Sequence, residues 1–197
     1  MMNERLSCQI EFIREVDKLK TIFRQTYLMD STRNENDAEH SWHITLMAWL
    51  LEEHSTNKQV NILRVMKMLL VHDVVEIDAG DTFAYDEQGQ EGKFERERMA
   101  AERIFGLLPP DQSEEMMELW LEFEQRKTTD SLYAAAMDRI QPLFHNYYTQ
   151  GKAWQEHEVT SGRVLARIGF LETELPDVHS LVCQLIHDAV DKGYLLP

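Results

Sequence analysis

With 197 residues, 43% of them apolar, the chain can bury one sizeable core, and residues 1–197 are read as a single domain. A formal charge of −15 argues against duplex nucleic acid or an acidic membrane surface as partners, because the overall field repels both. Two distant cysteines, Cys8 and Cys183, exclude a disulfide framework and a thiolate metal site, and no apolar run approaches a membrane span, so a cytoplasmic protein is expected.

Helical periodicity dominates and no sustained alternation of apolar and polar residues suggests strands, which predicts an all-α fold. The N-terminal residues lead into a first helix from about Glu4 to about Arg24, with Leu6, Ile10, Ile13, Val16 and Phe23 on an intermittent apolar face. A polar connector over residues 30–36 leads to Asp37 as N-cap of a second helix, through about Glu53, which carries Glu39, His40 and His43. A third helix builds through Ile62, Val65, Leu69 and Leu70 to the pair His72-Asp73, with Glu76 three and four residues further on. Gly80 and its small polar neighbours predict a loop from Asp78 to about Gly92.

Covering helices follow, one from Glu91 to Phe105 and one past Pro109-Pro110 capped by Ser113. The mixed charges of Glu95-Arg96-Glu97-Arg98 read as a solvated face. A sixth helix, from about Ser131 to Tyr148, places Asp138 beside Ala134-Ala135-Ala136, with a bend at Pro142. A carboxylate in such close packing is costly unless a cation or donor meets it. Two further helices start at Thr160-Ser161 and Pro176-Asp177.

Chemistry concentrates at His72-Asp73, where an apolar run ends in an imidazole and a carboxylate, a pairing suited to a divalent first-row metal. Glu76 is a nearby carboxylate able to handle a water. Read with His40 and Asp138, the pair completes a set of two imidazoles and two carboxylates from three separate helices.

That order, with Glu39-His40-Ser41 ahead and residues 72–81 at the centre, resembles the HD superfamily of metal-dependent phosphohydrolases, and within it the bacterial 5'-deoxynucleotidase branch, over roughly Leu19 to Leu143. The resemblance implies a helical bundle around a central metal site, with His40, His72, Asp73 and Asp138 holding one divalent ion, whether Mn, Co, Ni, Fe, Zn or Mg. It implies that Glu76 assists the attacking water, that Asp81 lies near substrate, and that Arg24, following Leu19-Lys20, grips phosphate. Gln25 stands where those nucleotidases have an aromatic residue. Arg33, shortly before the His40 helix, is the second choice for phosphate. The expected activity is hydrolysis of a phosphate monoester, a nucleoside or deoxynucleoside 5'-monophosphate, by a homodimer. Two rivals stand beside it: another HD-type phosphohydrolase with a different nucleotide or phosphodiester substrate, and a non-catalytic, metal-stabilised binding module. Stringent-response alarmone hydrolases carry an acidic residue where Ile77 stands, and the Gly-Tyr-Pro signature of cyclic dinucleotide phosphodiesterases is missing.

Overall fold

A computed structural model describes residues 3–197; Met1 and Met2, at the head of the expected first helix, lie outside the described residues. Helix α1 (Glu4–Val16) starts where the Asn3 side chain accepts the Arg5 N–H at 3.0 Å. It does not run on to Arg24. A 3-10 turn over Asp17–Thr21 buries Leu19, and the chain then extends into β1 (Phe23–Tyr27), paired antiparallel with β2 (Asn34–Asn36). Two expectations are therefore corrected: the end of the first helix and the connector before the second are a two-stranded hairpin. Phe23, Thr26 and Tyr27 are aromatic or β-branched residues that favour extended backbone, and Ser31 makes the reversal with φ 61°.

Helix α2 (Asp37–Leu50) opens with a reciprocal capping box, in which the Asn36 side chain accepts the Glu39 N–H and the Glu39 carboxylate accepts the Asn36 N–H. Because Asn36 caps, one residue before the expected Asp37, the Asp37 carboxylate is released to the interior and is fully buried. Helix α3 (Ile62–Val71) ends with His72 as its C-cap. A tight turn then passes Glu76 into the one-turn helix α4 (Glu76–Ala79), closed by Gly80 at φ 76°.

After the loop at 81–86 come the short α5 (Glu87–Gln90), then α6 (Lys93–Phe105), and α7 (Pro110–Gln125) with proline at its first position rather than a Ser113 cap. The long α8 (Thr129–Tyr148) contains Pro142 and is followed by α9 (Lys152–Glu156), α10 (Ser161–Ile168), α11 (Leu171–Glu174) and α12 (Pro176–Asp191). The short α4, α5, α9 and α11 carry too few residues to show a helical period.

The core is formed by α2, α3, α8 and α12 through Ile44, Met68, Leu69, Met137, Ile140 and Ile186. Ala134, Ala135 and Ala136 are fully buried, and their small side chains let α8 approach its neighbours closely enough for Asp138 to face α2 and α3. Truncating a side chain such as Met68 to Ala would cost roughly 2–5 kcal/mol. A second cluster, with Val74, Val75, Phe105 and Trp120, holds the turn after His72 from the other side. Among the described residues no helix is long and apolar enough to cross a membrane.

Candidate metal centre

His40, one turn into α2, is fully buried, and its Nδ1 faces Gln141 Oε1 at 3.1 Å and Glu35 Oε2 at 3.5 Å. Both are acceptors, so Nδ1 carries the hydrogen and Nε2 turns a lone pair toward Asp138 Oδ1 at 3.2 Å and Asp73 Oδ2 at 3.9 Å. His72 is fixed the same way. Its Nδ1 donates to the Leu69 carbonyl at 2.9 Å, one helical turn back. That leaves Nε2 close to Asp73 Oδ1 at 3.0 Å and Asp138 Oδ1 at 3.9 Å, but with no hydrogen-bond partner.

With both imidazoles neutral, two lone pairs converge on two carboxylates, acceptor against acceptor, in a buried place; without an ion, a proton on His40 relieves only part of that clash. A cation resolves that clash, and two nitrogen and two oxygen donors suit a divalent first-row ion. The residues present therefore fit a metal. His40, His72 and Asp73 each offer an atom within 4.8 Å of the others, and the Asp138 contacts complete the group.

The electrostatics follow from crowding. Burial and the Arg24 cation would lower the His40 pKa, yet its hydrogen bonds to Asp138 and Glu35 raise it to about 9 without the ion. Burial would raise Asp73 and Asp138, but their histidine partners and Arg24 hold both below the usual carboxylate range. Burial pushes Asp37 up to about 7, with Asp73 adding to the rise and Arg24 opposing it. Glu76 is raised well above the ordinary range by burial and by the charges of Asp73 and Asp37, and its Oε2 has no partner. Asp81 is raised too, chiefly by burial.

Arg24 reaches this cluster from β1. Its Nη1 donates to Asp73 Oδ2 at 2.8 Å, with Asp37 Oδ1 at 3.5 Å, and Nη2 is 4.0 Å from Asp138 Oδ1. The surrounding carboxylates outweigh the burial that disfavours its charge. A cavity of about 240 Å³ opens from here, lined by Arg24, His72, Asp73, Glu76, Asp81 and Asp138 among others. Arg33 is not brought to it. That side chain is half-exposed and bound to Glu39 at 2.8 Å, so the capping residue of α2 holds the cation expected for phosphate.

Sequence reasoning missed Asp37, the Glu35–Gln141 anchor of His40, and the ion pair of Lys93 with buried Glu97 at 2.8 Å on the cavity wall. Gln141 lies three residues after Asp138, on the same face of one helix, which was a usable signal. His145 is buried one turn further along that face and accepts from Gln141 Nε2 at 3.0 Å.

The fold and the cluster define an all-α protein that brings imidazole and carboxylate donors from three helices together in a set that fits one cation. The HD domain family matches residues 16–179, most of the chain, and the chain belongs to the HD domain family. A solved structure from Magnetospirillum magnetotacticum, described as a predicted metal-dependent phosphohydrolase, is 51% identical, with a TM-score of 0.92, covering 99% of this chain and 100% of that one. The human protein 5'-deoxynucleotidase HDDC2 is 28% identical over 156 residues, 79% of this chain and 72% of the relative. Its namesake from Dictyostelium discoideum is 26% identical over 147 residues, 72% and 77% respectively. An HD-domain phosphohydrolase from Listeria innocua, 17% identical with a TM-score of 0.62 over 93% of this chain and 99% of that one, shares the fold.

Proposed function

We propose that the chain is a metal-dependent phosphohydrolase that cleaves nucleoside or deoxynucleoside 5'-monophosphates, with His40, His72, Asp73 and Asp138 holding one divalent ion. The observation that carries this reading is the meeting of unpartnered imidazole nitrogen and buried carboxylate oxygen beneath the Arg24 guanidinium. A bound ion supplies Lewis-acid charge neutralisation of the phosphoryl group and acidifies water. Arg24 is the chain's own phosphate grip, and with its contact to Asp73 it is positioned before substrate arrives. Glu76, buried on the cavity wall with one oxygen unpartnered, would take the proton from the attacking water once an ion's positive charge offsets the burial and neighbouring carboxylates that raise its pKa. Asp81, on the loop after Gly80, lines the same cavity and borders the substrate there. The names of the curated relatives support the nucleotide class.

The chain acts as one domain, residues 1–197, in the cytoplasm and as a homodimer. Support for self-association comes from α2 and α3, which expose the large apolar side chains of Trp42, Trp49, Leu50, Leu63 and Leu70 that a second copy would cover. On α12 only Leu181 is open, while Ile186 is internal. The test is phosphate release from a panel of phosphomonoesters with Mn, Co, Ni, Zn or Mg supplied in turn. Turnover of nucleoside 5'-monophosphates with at least one metal is expected; nucleotide binding without turnover under every metal would leave only the binding-module reading.

A further inference from the structure

Most outer arginines are matched to carboxylates: Arg5 to Asp111, Arg33 to Glu39, Arg64 to Glu122, Arg98 to Glu95 and Glu102, Arg103 to Asp78 and Glu15. With 35 acidic residues against 20 basic ones, that is the outcome chance alone favours. On the cavity wall, across the Asp138 carboxylate from Arg24, the matching stops. Arg126, Arg139 and Arg167 all line it, from the end of α7, from α8 and from α10. Arg139 is largely buried, its side chain 12% exposed, and it gives one N–H to the Arg167 carbonyl at 3.0 Å. Its Nε is buried without a partner, and the nearest carboxylate oxygen, Asp138 Oδ2 at 3.9 Å, belongs to the metal cluster. Arg167 gives one N–H to the Ala84 carbonyl at 3.2 Å and stacks against Tyr85, and Arg126 has no ion pair among the described residues.

A guanidinium carries five N–H donors, so after these bonds to main-chain carbonyls most of the donor capacity of Arg139 and Arg167 is unspent. Like charges gathered at a partly buried wall repel one another until an anion enters. A phosphate, with several acceptor oxygens and a double charge, matches such a group better than a single carboxylate does.

We propose that this wall is a second anion subsite and that the preferred substrate is a nucleoside bisphosphate, one phosphate under attack at the metal cluster and the other, on a second sugar hydroxyl, held by Arg139, Arg167 and Arg126. The inference rests on the phosphohydrolase reading above. Its reaction is the same hydrolysis. Water oxygen forms the new bond to phosphorus, the bond from phosphorus to the ester oxygen breaks, and a proton ends on the departing hydroxyl. Inorganic phosphate leaves, and the product keeps its second phosphate. Arg126 and Arg167 stand at the end of α7 and on α10, elements that supply none of the candidate ligands, so a phosphate on a second sugar hydroxyl is the better match to them than one joined to the first by a single oxygen.

The test compares kcat/KM of the metal-loaded protein for a deoxynucleoside 5'-monophosphate, its 3',5'-bisphosphate and its 5'-diphosphate. An advantage of about tenfold or more for the bisphosphate is expected from charge-assisted hydrogen bonds to one phosphate. In Arg126→Gln combined with Arg167→Gln, that advantage is expected to fall to about twofold or less through KM, with monophosphate turnover retained. Turnover of none of the three sinks the phosphohydrolase reading itself. Monophosphate turnover with no bisphosphate advantage, a diphosphate that outruns the bisphosphate, an advantage that survives the double substitution, or equal losses for all substrates each overturns the second subsite. The exposed Arg126→Gln alone, which leaves the buried packing intact, is expected to raise KM for the bisphosphate only.

Discussion

Two groups of imidazole and carboxylate lie on either side of His40, built from similar residue types and differing in whether a donor reaches the imidazole nitrogens. On one side His40 Nε2, His72 Nε2, Asp73 and Asp138 face one another. On the other, Glu35, His43 and His145 are close enough to ligate an ion as well. There, however, the Gln141 amide nitrogen sits among them, 2.6 Å from Glu35 Oε1, 3.0 Å from His145 Nε2 and 3.2 Å from His43 Nδ1. The protein supplies the donor that a metal would otherwise replace. Residue type and spacing therefore do not distinguish a metal centre from a structural network; whether an internal donor reaches the imidazole nitrogens does.

The sharpest way to break this comparison is Asp73→Ala against His43→Gln. Asp73→Ala should lose bound metal and lower phosphate release by roughly 10³-fold or more, since the ion contributes several kcal/mol of charge stabilisation. His43→Gln should keep metal content near wild type, and loss of the metal there would show that the two groups act as one site. Next in size, Glu76→Gln should retain metal while kcat falls by about 10²–10⁴-fold, the range for a proton-transfer group; unchanged kcat would remove Glu76 from the chemistry. Gln141→Leu deletes the acceptor that orients His40 and the donor inside the second group. A metal affinity lower by roughly 10–100-fold is expected, read by titration with the ion.

The smallest effect is on stability against pH in the metal-free protein. Asp37 is raised to about 7 and His40 to about 9, so each favours the protonated form in the fold. The stability they contribute is full below their ordinary ranges and is lost as pH rises through those values. Asp73 and Asp138, held low, act in the opposite sense only in acid. The Tm of metal-free protein should accordingly fall between about pH 5 and 9, and the gain on adding metal should grow over the same window, because the ion takes the place of the protons. A Tm that rises with pH in thermal melts would contradict the burial of these groups.

Much of the helical scaffold was readable from periodicity: α2, α3, α6, α8 and α12 stand close to their expected bounds because each buries one face. His72, Asp73 and Asp138 were readable as candidates because each is an ionisable residue set in an apolar run, whereas His40, in the polar stretch Glu39-His40-Ser41, joined them only through the family resemblance. The hairpin was not, since its strands are too short to show alternation and their polar residues resemble a linker. Asp37 was hidden by its neighbour: Asn36 and Asp37 cap about equally well, and only the fold decides which carbonyl or carboxylate turns inward. The arginine wall is assembled from residues 126, 139 and 167, whose proximity exists only after α7, α8 and α10 pack.

That short ribbon does two jobs at once. From β1 it extends Arg24 over the ion's place, and from β2 it slips Glu35 behind His40. Since a slide of one residue along a strand turns every side chain to the opposite face, a single pairing error would withdraw the anion grip and unfasten the imidazole together. The least helical part of the molecule is therefore where its chemistry is most exposed to misassembly.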